Sequence, residues 1–150
     1  MIRDEIKAAQ IAAMKARDTA TLNAARLIQA AIKNRDIELR TSSVQPDDDV
    51  LVTEVMQKMI KQRRESIELY VKGGRQELAD AELAEVAVIE RFLPQQMSED
   101  DATLAVNAIA TELGATSVKD MGRVMAAVKE RHAGQIDMSK ASALVKARLS

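Results

Sequence analysis

Between Leu51 and Arg75 the apolar residues Val52, Met56, Met59, Ile60, Ile67 and Tyr70 gather on one side when successive positions are turned by about 100°. Glu54, Lys58, Lys61, Glu65, Glu68 and Lys72 take the opposite side. The pattern predicts one long amphipathic helix, from about Asp48 to Lys72, ended by the Gly73-Gly74 pair. Arg63 falls in the middle of the apolar face, and Arg64 lies about 100° further round, at its margin and free to meet a partner.

The same spacing organises the rest of the chain. Ile2, Ile6, Ala9 and Ala13 mark a first helix over about residues 2–16. Asp18 or Thr19 caps a second that runs to about Arg40, with Ile28, Ile32 and Leu39 on its buried side. The segment TSSVQPDDD reads as a loop whose acids favour the start of the long helix. A fourth helix follows from about Arg75 to Leu93, stopped by Pro94, with Ala79, Leu83, Val86, Ile89 and Leu93 on its apolar face. Beyond PQQM, three shorter helices open at Ser98, Ser117 and Asp137, and Gly114 and Gly134 separate them. The expected architecture is all-α, with an antiparallel part of about four helices in residues 1–95 and a three-helix bundle in residues 96–150.

Four polar features stand out against this pattern. Glu82 and Glu90 fall within the apolar stripe of the fourth helix, so Arg63 is expected to join them in a buried network that is structural, since no nucleophile accompanies it. Arg26, Lys33 and Arg40 recur every seven residues along one edge of the second helix. They form either a contact line for a partner or a set of cations that snorkel or pair with acids of a neighbouring helix. Gly122 lies inside the helical pattern VKDMGRVMAAVK, where glycine costs about 1 kcal/mol against alanine, which points to close approach by another helix or by a ligand backbone. His132 continues an apolar face at a helix C-terminus and reads as a packing residue stabilised by the helix dipole.

Composition narrows the chemistry. Tyr70 and Phe92 are the only aromatic residues, and a core of Ala, Leu, Ile, Val and Met suits helices better than strands. With no cysteine, thiolate nucleophiles, disulfides and thiolate metal sites are excluded, and a single histidine rules out a multi-histidine zinc site. No phosphate-binding glycine loop, HExxH or GxSxG motif occurs. No cofactor, metal or catalytic residue is expected. The charged, amphipathic N-terminus and the lack of a long apolar run predict a soluble, cytoplasmic protein with no membrane partner. A net charge of −1 argues against DNA coating, yet residues 115–150 hold seven Lys/Arg against three acids. With no aromatic platforms, an RNA partner would be read through phosphates and shape.

The blocks ARLIQAAIKNRDIELR, KQRRESIELYVKGGRQELADAELAEVAVIERFLPQQMSEDD and KDMGRVMAAVKERHAGQID, in that order, resemble successive blocks of the GatB/YqeY family. The chain is similar to a free-standing YqeY-type protein and to the tail of the B subunit of the aspartyl/glutamyl-tRNA amidotransferase. The resemblance implies a helical N-terminal part and a three-helix tail, and an accessory role in tRNA-dependent amidation without autonomous catalysis. It implies tRNA or a tRNA-processing enzyme as partner. On this reading Lys119, Arg123, Lys129 and Arg131 are the expected RNA contacts, with Arg26 and Lys33 as further candidates. Two alternatives remain open: a protein adaptor docking on a synthetase or amidotransferase, and the family's associated carbon–nitrogen ligase activity with glutamine as amido donor.

Overall fold

Helix ends fall where side chains can take up the free N–H groups of a first turn. The computed structural model describes all of Met1–Ser150 and contains seven α-helices. They are α1 (Ile2–Ala16), α2 (Thr19–Leu39), α3 (Asp48–Lys72), α4 (Gln76–Glu90), α5 (Glu99–Glu112), α6 (Met121–His132) and α7 (Met138–Leu149), with a single 3₁₀ turn, Val118–Asp120, ahead of α6. The expected all-α class is what the structure has. Asp18 caps α2 by accepting from both the N–H and the hydroxyl of Thr21. Asp47, Ser98 and Asp137 cap α3, α5 and α7 by accepting from backbone N–H groups alone, and Ser117 with Asp120 forms a capping box at the 3₁₀ turn. Gly74 turns the chain out of α3 with a left-handed φ of 73°.

The chain divides into two compact units, Met1–Leu93 and Pro94–Ser150. In the first, Ile6, Ala25, Ile28, Ile32, Val52, Met56 and Ile89 form the buried core to which all four helices contribute. The acids at the head of α3 fasten the start of α1: Asp49 accepts from the Ile2 N–H at 3.0 Å, and Asp48 and Asp36 both hold Arg3. Hydrogen bonding to Arg3 keeps the Asp36 carboxyl below its ordinary range. In the second unit Val106, Ile109, Val124, Val128, Ile136, Val145 and Leu149 make a wholly aliphatic core, with Ala110 and Ala141 letting the helices approach.

α3 and α4 form an antiparallel hairpin that outruns the four-helix core: core members on α3 end at Met59 and Ile60, and on α4 begin at Ile89. Beyond them the two helices bury Ala79 and Val86 along their own seam. Here the structure corrects the expected network. Arg63 Nε lies 2.8 Å from Glu85 and 3.7 Å from Glu82, whereas Glu90 is bound by Arg64 at 2.8 Å. Glu82 and Glu90 are separated by about 12 Å along the helix axis, too far for one guanidinium fork. Glu85, three residues after Glu82, shares its side of the helix. The network is also less buried than expected, flanking the seam with the Arg63 side chain 17% exposed. Leu83, expected inside, is exposed, and Val88 is buried in its stead.

Candidate nucleic-acid interface

The basic residues expected to contact RNA sit around α6. Lys119 lies in the 3₁₀ turn, exposed and without an ion pair, and Lys129 is exposed on the last turns of α6. The two arginines are engaged within the protein. Arg123 donates to Asp120 at 2.9 Å and to the Leu113 carbonyl at the end of α5. Arg131 grips both oxygens of Glu112 in a bidentate pair. Hydrogen bonding by Arg131 holds the Glu112 carboxyl low and raises the guanidinium's own pKa. Asp120 is likewise held low, first by the Thr116 N–H and then by Arg123.

The basic excess of the chain's end is correspondingly offset. Within Pro94–Ser150 the seven cations are matched by seven acids: Glu99, Asp100, Asp101, Glu112, Asp120, Glu130 and Asp137. Three of these open α5 and belong to its first turn, where they complement the helix dipole. What remains basic is α7, which has no acid after its cap Asp137 and presents Lys140, Lys146 and Arg148, all exposed and without ion pairs.

Gly122 does not mark a close approach within this chain. It is exposed as the second residue of α6, and a Cβ built there meets nothing within 4 Å. The 3₁₀ turn places it in a first helical turn rather than a helix interior, which removes the reason to infer a neighbour. His132, the last residue of α6, is half-buried, with Nδ1 3.3 Å from the Gln135 side-chain oxygen.

Arg26 and Lys33 are both exposed on α2, and with Arg40 at its end they make no ion pair, so of the readings open for this row, pairing with acids of a neighbouring helix is not found. No group of three or more potential ligands converges as a metal site would require. No helix is long and apolar enough to cross a membrane.

Comparison with known proteins places this architecture. The sequence model of a family described as Yqey-like protein matches residues 3–149. "Altered inheritance of mitochondria protein 41, mitochondrial" of Eremothecium gossypii is 34% identical over 107 residues, covering 69% of this chain and 56% of the relative. The protein of the same name in Lachancea thermotolerans is 30% identical over 103 residues, covering 67% and 54%. The chain thus spans about half the length of the curated relatives it matches. Their names place these relatives in the mitochondrion, which overturns the expectation of a cytoplasmic protein. That expectation rested on charge and hydropathy, which describe the folded helices and carry no compartment address. From residue 3 to residue 149, across both helical units, the chain belongs to the YqeY-like protein family.

Proposed function

We propose that this protein is a non-catalytic accessory module of tRNA-dependent amidation that holds structured RNA through its C-terminal unit. The observation that carries this reading is α7: three exposed cations, Lys140, Lys146 and Arg148, with no acid beyond the helix cap, and Lys119 likewise unpaired in the 3₁₀ turn. Cations without carboxylate partners keep their full capacity for phosphate oxygens, and the lack of aromatic platforms directs recognition to backbone and shape. Arg123 and Arg131, each engaged with an acid, serve this reading less well than α7 does.

The test is titration of folded tRNA at several salt concentrations. Each phosphate contact contributes up to about 0.9 to the slope of log affinity against log salt. Changing Lys119, Lys140, Lys146 and Arg148 together to Gln should flatten the slope by about 3 to 4. Binding that ignores salt, or ignores the four changes, would sink the reading. Glutamine-dependent ammonia release by the pure protein would replace it with catalysis.

A protein-adaptor reading draws on one feature, the hairpin end where Leu69 and Val71 are 70% and 51% exposed. Recovery of the same protein partner from ribonuclease-treated and untreated lysate would favour it.

A further inference from the structure

Methionine is distributed unevenly over the two units. Of the eight methionines, Met56 and Met59 are sealed in the core of Met1–Leu93, and Met1 and Met14 are 66% and 51% exposed. The remaining four, Met97, Met121, Met125 and Met138, all belong to Pro94–Ser150, and all are partly buried against its aliphatic core. A side chain so placed is open to a small solute and yet matters to packing.

Their positions sharpen the consequence. Met97 precedes Ser98, the cap of α5, and its N–H donates to the Gln135 carbonyl at 3.0 Å. Met121 and Met138 are the first residues of α6 and α7, and Met125 follows Met121 by one turn, beside the buried Val124 and Val128. Each of the three helices therefore has a thioether at or just ahead of its start, laid on the shared core. A thioether fills an irregular apolar gap without a hydrogen bond, whereas a sulfoxide oxygen in the same place has to be hydrated or partnered. The core beneath offers it only aliphatic side chains. With no cysteine or tryptophan to intercept an oxidant, methionine is the most readily oxidised side chain here.

We propose that Met97, Met121, Met125 and Met138 are oxidation sites through which hydrogen peroxide loosens the C-terminal unit while Met1–Leu93 keeps its fold. The sulfur lone pair attacks one peroxide oxygen, and the O–O bond breaks as the S–O bond forms. The second oxygen leaves as hydroxide and takes the proton of the first to become water. Sulfur is oxidised and the peroxide reduced, with no other reactant. The change is reversible, because methionine sulfoxide reductases restore the thioether. It holds whatever partner the C-terminal unit has.

The experiment treats the full chain with a hydrogen peroxide series, maps sulfoxides by peptide mass spectrometry and follows amide hydrogen exchange in both units. The expected result is sulfoxide at the four sites, exchange in α5, α6 and α7 faster by about tenfold or more, and exchange in α1 to α4 unchanged. Incubation with the two sulfoxide reductases, one for each epimer, and dithiothreitol should restore slow exchange. The M97L/M121L/M125L/M138L variant keeps apolar bulk without an oxidisable sulfur and should not respond, whereas M1L/M14L should respond like the parent. If the fourfold variant fails to fold, M121L/M125L and M97L/M138L should each lose part of the response. Oxidation of all four sites without faster exchange in α5 to α7 overturns the inference. So does oxidation confined to Met1 and Met14, or loosening of both units together.

Discussion

Arg131 on α6 reaches across to Glu112 at the end of α5 and donates from both terminal nitrogens to its two carboxylate oxygens, Nη2 to Oε1 at 2.9 Å. A guanidinium held this way has its best bidentate partner already, so it competes poorly for phosphate. Replacing Glu112 with Gln removes the charge that holds it. The expected outcome is a few-fold gain in RNA affinity and a steeper salt dependence by about one phosphate contact. An unchanged slope would show that Arg131 lies off the RNA path even when released.

Acid should loosen the fold through a small set of carboxylates. Asp36, Glu112 and Asp120 all have folded-state pKa values below their ordinary ones, each stabilised in its ionised form by hydrogen-bond donors. A depressed pKa contributes stability that is fully present above the unfolded-state value and is lost as pH falls through the folded-state value. Stability is therefore expected to be nearly flat between about pH 7 and 5 with respect to these groups and to fall below about pH 4. Urea midpoints measured across that range should fall less steeply for Asp36→Asn than for the parent, because the variant has already lost the Arg3 contact.

The Arg63 site shows what could be read from the chain and what could not. Helix ends were legible because caps and breakers are local: Asp18, Ser98 and Asp137 announce their helices, and Gly73-Gly74 ends α3. The departure of Arg63 from an apolar face was legible too. Its partner was not, because a helical wheel gives angle without inter-helix register, and register decides between Glu85 and Glu90. The charge of the C-terminal unit was misjudged for a related reason. The stretch from Ala115 is basic, but the unit it folds into also contains Glu112 and the acids at the head of α5, and where a unit begins is not written in local sequence.

From the observed pairing, Arg63→Met should cost about 1–2 kcal/mol rather than the 3–5 kcal/mol of a fully buried pair, since Glu82 and Glu85 stay in reach of water. Adding Glu85→Gln should recover part of that loss, and Glu90→Gln in place of it should recover none. Equilibrium urea unfolding of the single and paired variants separates the two.

Gly122 offers a cleaner discrimination. Open space around its Cβ position and a helical first turn mean that Gly122→Ala meets no clash in this chain and gains helix propensity. The change should stabilise by up to about 1 kcal/mol. If the same variant also loses RNA affinity, the glycine admits the backbone of a partner. Undiminished affinity would leave only the local helical preference to account for it.

Arg17 carries a backbone cost that a single substitution can remove. Its left-handed backbone ends α1, with its N–H bonded to the carbonyls of Ala13 and Met14. That conformation costs a non-glycine residue about 1–2 kcal/mol, partly offset because glycine loses more freedom on folding. Arg17→Gly should therefore raise stability by about 0.5–1 kcal/mol, seen as a melting temperature higher by about 2–4 °C. Arg17→Lys keeps the left-handed cost and should melt with the parent. A glycine variant no more stable than the parent would show that the cost is fully offset by the freedom glycine loses on folding.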